Sequence, residues 1–208
     1  MHQIRIMKLK KANFEDVRQF AIDGMHLDWY VNNKLELYLY SQYFIYTELA
    51  RATHAYGAYI GNNLVGVLLA NMHGQPKTYH FPIRKWLLKL IGQGIALLYG
   101  KTAGQYDTAN QKMLTAYLNE YQPDGELNLF AVKPNIIGRG IGTRLLNQLS
   151  KDEAGKQIYL YTDSGSTYQF YFHRGFEMSG KTQLTLERGN QKVPLTCYVL
   201  HKQLTTTA

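Results

Sequence analysis

One stretch of this 208-residue chain decides its fold: Val132-Lys-Pro-Asn-Ile-Ile-Gly138-Arg-Gly140-Ile-Gly142-Thr-Arg-Leu-Leu146. It continues a strand of alternating residues and passes through three alternate glycines into an amphipathic helix. Glycines allow successive backbone N–H groups to point into one concavity, and the following helix N-terminus adds a partial positive charge. The stretch is therefore predicted to bind a pyrophosphate, and a plain tight turn between strand and helix is the alternative.

Two better-known phosphate-binding motifs do not match the chain. A Rossmann fingerprint starting at Gly138 would need glycine where Thr143 stands. Residues 100–102 read Gly-Lys-Thr like the end of a Walker A loop, but the first glycine of that loop would fall on Ile95. The glycine-rich stretch therefore belongs to a different kind of phosphate site.

A second motif lies downstream at Phe170-Tyr171-Phe172-His173-Arg174-Gly175-Phe176. Together the two motifs resemble the signatures of the GNAT superfamily of acyl-CoA-dependent N-acetyltransferases. The first signature is a strand, Val-x-Pro and G-x-G-x-G/A at the start of a helix, and the second is F-Y-x-x-x-G-F. The resemblance implies an α/β (α+β) fold with a mixed, mostly antiparallel twisted sheet flanked by helices.

The pattern of apolar and turn residues agrees with that order of elements. Strands are predicted near residues 4–9, 55–60, 64–70, 126–132, 156–162, 176–186 and 193–204. Helices are predicted near 14–25, 33–53, 83–99, 105–121, 141–150 and 166–174. We expect one GNAT-like domain over residues 1–208, with residues 74–123 as a helical insert between the third and fourth strands. The insert is expected to form a lid or wall near the acceptor cleft or, alternatively, a homodimer contact.

The resemblance implies acetyl-CoA as co-substrate. The backbone of residues 130–132 would pair with its pantetheine arm, and amides from 138 through 143 would hold its pyrophosphate. Ile137 stands where the family usually carries Arg or Gln, so Arg139 is expected to replace part of that contact. The predicted cofactor-binding residues are Phe130, Ala131, Val132, Ile137, Gly138, Arg139, Gly140, Ile141, Gly142 and Thr143.

The implied chemistry is direct transfer of the acetyl group to a primary amine of a small molecule or peptide. Tyr171 occupies the family's acid position, where a phenol can protonate the departing thiolate; packing among the other tyrosines is the alternative. Glu126 matches the place where several members keep a water-linked carboxylate base, and a solvated strand-end glutamate is the alternative. Asp163 is expected to cap the short helix that follows it, or to accept a substrate ammonium.

Composition and charge limit which partners, metal sites and alternative functions are expected. The formal net charge of +8 favours an anionic partner such as the phosphates of CoA. A lone cysteine, Cys197, and seven scattered histidines predict no disulfide and no metal site, and the chain is expected to be cytoplasmic with no membrane span. A non-catalytic acyl-CoA sensor is the main alternative. A basic nucleic-acid-binding module is a weaker one, and nucleic acid is not an expected partner because no RNP-type motif supports it.

Overall fold

The structure is a computed structural model that describes residues 3–31, 33–81, 106, 108–134, 136, 139–188 and 191–206. Its strands are β1 (Ile4–Lys8), β2 (His54–Ile60), β3 (Asn63–Met72), β4 (Gly125–Val132), β5 (Gln157–Asp163), β6 (Glu177–Arg188) and β7 (Gln191–Gln203). They form one sheet in the order β1-β2-β3-β4-β5-β7-β6, in which β4 and β5 are parallel and the other neighbours are antiparallel. The predicted mixed, mostly antiparallel sheet is confirmed.

Helices cover both faces of this sheet. They are α1 (Phe14–Met25), α2 (Lys34–Arg51), α3 (108–120), α4 (Ile141–Asp152) and the short α5 (Gln169–Phe172). Val17 of α1 and Leu49 of α2 are fully buried in one core layer with Leu129 of β4, whereas Leu145 of α4 is buried in another with Ile158 of β5. The described part of the insert adds a third cluster, in which α3 packs against β5 and β7. The helices α1 and α2 therefore lie on one face of β4, and α4 lies on the other.

The N-termini of α1 and α2 differ in their capping. Asn33 caps α2 as its sequence position suggests, because its side chain accepts a hydrogen bond of 3.0 Å from the Glu36 N–H. Asn13 with Asp16 three residues later is a sequence pattern that predicts an N-cap for α1, but this prediction is wrong: Asn13 makes no capping bond, and its Nδ2 donates to Asp16 Oδ2 at 2.8 Å instead. The reason is a 3₁₀ turn at Lys11–Asn13, which removes Asn13 from the extended conformation that a cap requires.

The helix predicted near 83–99 lies outside the described residues. Gly189 and Asn190, whose residue types predict the turn between the last two strands, also lie outside them. The hairpin between β2 and β3 turns at Gly61, whose φ of 62° is the left-handed conformation expected there.

The sheet opens between β4 and β5. These parallel strands pair only at Gly125 with Ile158 and at Glu126 with Tyr159, which are both at the beginning of β4. The register between β3 and β4 also shifts here, because Leu129 and Leu127 face consecutive residues of β3 and leave Asn128 as an extra residue. An extra residue bends its strand. The two strands therefore separate after Glu126, and the gap connects the two faces of the sheet.

The N-terminus of α4 sits directly over the end of β4. Gly66 of β3 allows this close approach, since a Cβ there would lie 2.8 Å from Ile141 Cγ2 and 3.1 Å from Leu145 Cδ1. A larger residue at this position would push the first turn of α4 away from the sheet. The glycine loop and the helix N-terminus are thus placed at one mouth of the gap between β4 and β5.

Candidate active site

A cavity of about 1190 Å³ passes through the gap between β4 and β5. One end is lined by the second half of β4, by the first turn of α4 and by α5. The other end is lined by the end of α1 with the turn that follows it, by one face of α2, by Tyr106 of the insert and by the end of β5. The cavity is large enough to hold two substrates end to end.

The glycine loop forms the first end of the cavity. Gly140 has a φ of 65° and is the residue before α4, and no side-chain oxygen caps the helix. The N–H groups of the first turn therefore keep their hydrogen-bonding capacity for a ligand. The wall here includes eight of the predicted cofactor residues: Phe130, Ala131, Val132, Arg139, Gly140, Ile141, Gly142 and Thr143. The other two, Ile137 and Gly138, lie outside the described residues.

The loop fits an anionic group such as a pyrophosphate. Gly142 leaves room only for a hydrogen atom, because a Cβ there would lie 3.2 Å from the Phe170 ring and 3.3 Å from the Phe130 ring. Three cationic side chains line this end of the cavity, namely Lys133, Arg139 and Arg174. Exposed backbone donors with nearby positive charge are the combination that phosphate sites use.

Arg174 was not assigned a role from the sequence, although it lies within the second motif. Its Nε and Nη2 donate to Thr143 Oγ1 at 3.0 and 2.7 Å, and its guanidinium lies 5.4 Å from the centre of the Phe170 ring. The side chain is thereby fixed over the first turn of α4. The signal in the sequence was a cation directly before Gly175 of the second motif, together with a hydroxyl at Thr143, directly after the last glycine of the first motif.

Tyr171 of α5 lines the cavity beside the end of β4. Its ring lies 6.1 Å from that of Phe130 and 5.5 Å from that of Phe176. Burial raises the pKa of the Tyr171 phenol above its usual range. The hydroxyl is therefore protonated at neutral pH and can act as a hydrogen-bond or proton donor towards the gap.

Glu126 lies behind the cavity wall. Its side chain forms an ion pair with Arg51 of α2 and accepts a hydrogen bond of 3.4 Å from the Tyr159 hydroxyl. The residue is only 8% exposed, so the alternative of a solvated strand-end glutamate is wrong. Glu126 does not belong to the described residues that line the cavity.

A second carboxylate, Glu48 of α2, shares the same arginine and does line the cavity. Arg51 Nη1 lies 3.5 Å from Glu48 Oε1, and Asn128 Nδ2 donates to Glu48 Oε2 at 2.6 Å. Burial raises the pKa of the Glu48 carboxyl, against the opposing effect of Arg51. The extra residue of β4 therefore holds a buried carboxylate at the point where β4 and β5 separate. Sequence reasoning missed Glu48.

Asp163 also lines the cavity, at the end of β5. Its Oδ1 accepts a hydrogen bond of 2.8 Å from the Gly165 N–H, and its Oδ2 accepts one of 3.2 Å from the Tyr106 hydroxyl. The residue before α5 is Tyr168, which forms no side-chain cap. The expected helix cap is therefore wrong: Asp163 closes a tight turn and binds the hydroxyl of Tyr106, which also lines the cavity.

The described ranges hold neither a metal-binding cluster nor a membrane-spanning helix. No group of three or more His, Cys, Asp or Glu side chains gathers there in a way that could hold a metal ion. Each helix in those ranges is too short or too polar to cross a bilayer.

Comparison with known sequences identifies the family. The profile of the acetyltransferase (GNAT) family matches residues 20–176, which include β4, the glycine loop, α4 and α5. The chain therefore belongs to the GNAT acetyltransferase family and is an enzyme of that family. No curated protein sequence matches the chain.

Solved structures share the fold at low identity. The histone acetyltransferase HPA2 and related acetyltransferase from Corynebacterium glutamicum is 18% identical, with a TM-score of 0.60 and coverage of 99% of this chain and 98% of that one. An insect putative arylalkylamine N-acetyltransferase from the yellow fever mosquito is 18% identical, with a TM-score of 0.59 and coverage of 97% and 87%. The PaiA N-acetyltransferase from Thermoplasma acidophilum, in complex with coenzyme A, is 14% identical, with a TM-score of 0.51 and coverage of 97% and 99%.

Proposed function

We propose that the chain transfers the acetyl group of acetyl-CoA directly to a primary amine of a small molecule or peptide. The observation that carries this proposal is the polarity of the cavity that crosses the sheet. Among the described residues that line it, the cations Lys133, Arg139 and Arg174 lie on or beside the glycine loop and the first turn of α4, whereas the carboxylates Glu48 and Asp163 lie on α2 and at the end of β5. An anionic donor and a cationic acceptor would thus enter from opposite mouths and meet between β4 and β5.

Backbone hydrogen bonds as well as positive charge position acetyl-CoA, the acetyl donor. The uncapped N–H groups that follow Gly140 hold the pyrophosphate, with Arg139 and Arg174 adding charge. The unpaired edge of β4 from Phe130 to Val132 then hydrogen-bonds the amides of the pantetheine arm, since β5 has left that edge free. This arrangement points the thioester along β4 towards Asn128.

The reaction needs one proton acceptor and one proton donor. The neutral amine nitrogen attacks the thioester carbonyl carbon, a C–N bond forms, the C–S bond breaks and the thiolate leaves. Tyr171 gives its proton to the sulfur as the C–S bond breaks, since its phenol is protonated at neutral pH and lines the cavity beside the end of β4.

The amine proton leaves through the carboxylate pair that shares Arg51. Glu126 is the inner member, bonded to Arg51 and Tyr159, and Glu48 is the member on the cavity wall. Glu126 acts through Arg51 by setting the charge that Glu48 experiences, and Glu48 faces the amine. Glu126, which was predicted as the base, thus influences Glu48, and Glu48 accepts the proton.

Calorimetric titration with acetyl-CoA tests the donor site. Gly140→Val adds a branched side chain to a left-handed residue on the cavity wall, and Gly155→Val adds the same strain at φ 85° in a turn far from the cavity. Gly140→Val is expected to weaken acetyl-CoA binding by at least about tenfold, which corresponds to about 1.4 kcal/mol, while Gly155→Val leaves it unchanged. Equal affinity in both variants would contradict the proposal.

A further inference from the structure

The end of the cavity that holds Glu48 and Asp163, called the acceptor end below, has an aromatic wall. Its members come from the turn after α1, from α2, from the insert and from β5, so four separate parts of the chain converge on it. Trp29 is stacked on His26 with ring centres 4.3 Å apart, and its ring packs against the Gly165 turn. We use "aromatic wall" for Trp29, Tyr40, Tyr43, Phe44, Tyr106 and Tyr161.

The α2 part of this wall leads directly to Glu48. Tyr40, Tyr43, Phe44, Thr47 and Glu48 follow one another at the spacing i, i+3, i+4, i+7 and i+8, which places them on one face of a helix. All five line the cavity. A flat apolar surface therefore ends at a buried carboxylate about two helical turns away, or roughly 12 Å along the axis.

The direction of the donor places the reacting nitrogen at this carboxylate. The pyrophosphate lies at the N-terminus of α4, beyond the C-terminal end of β4, so the pantetheine arm runs back along β4 towards its beginning. The acyl group then arrives at Leu129 and Asn128, and the Asn128 amide is bonded to Glu48. Glu48 is thus hydrogen-bonded directly to the strand residue at which the thioester would arrive.

The net charge of the group that contains Glu48 matches one cation. Both oxygens of Asp163 already accept hydrogen bonds, from the Gly165 N–H and from the Tyr106 hydroxyl. Glu48 shares Arg51 with Glu126, so the three groups carry one net negative charge when both carboxyls are ionised. That charge matches a single ammonium beside Glu48.

We propose that the acceptor is a primary amine carried on an aromatic ring, with its ammonium bound by Glu48 and its ring against the aromatic wall. This inference rests on the proposed acetyl transfer and specifies its second substrate. Aromatic faces favour an aryl group over a saturated ring of the same size because edge-to-face and stacked contacts add to apolar burial. Loss of one proton from the ammonium to Glu48 then gives the neutral nitrogen that attacks. The second nitrogen proton, lost as the amide forms, goes to the Tyr171 phenolate that has protonated the sulfur, so one proton in total is released, from Glu48.

The test uses two amines that differ only in the ring, 2-phenylethylamine and 2-cyclohexylethylamine. With the full chain and saturating acetyl-CoA, kcat and KM are measured for each, and acetyl-CoA affinity is measured separately by calorimetry. We expect kcat/KM to favour 2-phenylethylamine by about fivefold. Phe44→Leu keeps an apolar side chain but removes one ring from the wall, and it should reduce this preference.

The binding of the ammonium by Glu48 is tested with Glu48→Gln. Glu120→Gln is the matched control, because Glu120 is an exposed glutamate of α3 that does not line the cavity. Glu48→Gln should raise the KM for 2-phenylethylamine by at least about tenfold and leave acetyl-CoA affinity unchanged. Binding of the amine to protein saturated with CoA gives the same comparison without turnover. Glu120→Gln should match wild type in every measurement.

The outcomes separate the two proposals. Equal use of both amines, better use of the cyclohexyl amine, activity confined to diamines or peptides, or an unchanged KM in Glu48→Gln would each overturn the aromatic-amine assignment while acetyl-CoA still binds. Failure of acetyl-CoA to bind the wild-type chain would instead overturn the proposed acetyl transfer, and the acceptor assignment with it.

Discussion

Asn128 Nδ2 donates a hydrogen bond of 2.6 Å to Glu48 Oε2, and this bond joins the irregular part of β4 to α2 at the cavity wall. The same amide nitrogen lies 3.3 Å from the Glu48 carbonyl oxygen. Asn128 Oδ1 is buried and has no hydrogen-bond partner among the described residues. The extra residue that opens the sheet therefore also orients the acidic side chain that we place beside the amine.

The pH dependence of kcat/KM should reflect the ionisation of the Glu48 carboxyl. Burial raises the pKa of Glu48, and the nearby charge of Glu126 contributes in the same direction. Because only ionised Glu48 binds the ammonium and accepts its proton, kcat/KM should rise with pH as Glu48 ionises. Glu126→Gln removes one negative neighbour, so the rising limb should move to lower pH. Glu48→Gln should abolish that limb.

The matched control for these profiles is again Glu120→Gln, which should reproduce the wild-type curve. A limb that stays in place in Glu126→Gln would show that Glu126 does not influence Glu48 through Arg51. A limb that survives in Glu48→Gln would assign the titration to another group.

The proton donor is tested by Tyr171→Phe. Removal of the hydroxyl leaves the ring against Phe130 and Phe176, so acetyl-CoA affinity and folding should be preserved. Turnover should fall by about 100-fold, the lower part of the range for general acid–base catalysis. Tyr168→Phe is the control, because Tyr168 stacks on Tyr198 outside the cavity wall. Similar kcat values for the two variants would remove Tyr171 from the chemistry.

The donor half of the site could be predicted from sequence because its residues are close together in the chain. The glycines and the helix after them form one local unit, and their backbone geometry follows from residue type. The second motif supplied Tyr171 in the same way. Strand and helix patterns also placed β4 and α4 within a few residues of their observed bounds.

The acceptor half depends on contacts between distant residues. Glu48 and Asn128 are 80 positions apart, and Arg51 and Glu126 are 75 apart. Their association depends on how α2 lies across β4, which no local pattern encodes. The apolar and aromatic face of α2 was visible as helical periodicity in the sequence. The sequence alone does not show that Glu48 at the end of this face is buried, because that depends on its distant partners.

Arg174 is expected to contribute to acetyl-CoA affinity through charge. Its guanidinium is held over the first turn of α4 by Thr143, so it needs little ordering when a phosphate binds. Arg174→Ala should weaken binding by about tenfold at low ionic strength, and by less at high salt because screening reduces the contribution of the charge. Calorimetry at two salt concentrations measures both effects.

The control for Arg174 is Arg144→Ala, which removes the same charge from an exposed position in the first turn of α4 that does not line the cavity. It should change acetyl-CoA affinity only slightly. An equal loss in both variants would indicate a general effect of net charge rather than a contact made by Arg174.

Arg51 should be important for stability as well as for the site. Arg51→Met leaves the side chains of Glu48 and Glu126, each 10% exposed, without their shared cation. Breaking such a pair from one side is destabilising, and since Arg51 itself is 42% exposed we expect a loss of about 2 kcal/mol at pH 8. Urea unfolding followed by circular dichroism measures this loss, with Arg144→Met as the exposed control.

The pH dependence of the stability loss in Arg51→Met distinguishes unpaired carboxylates from lost packing of the Arg51 alkyl chain. In Arg51→Met the folded-state pKa of Glu48 rises further above its unfolded value, so the folded state binds the proton more tightly than the unfolded state does. The stability deficit should therefore shrink as the pH falls from 8 towards 5 and Glu48 becomes protonated. A deficit that is the same at both pH values would mean that Arg51 stabilises the fold through its alkyl chain rather than through the two carboxylates.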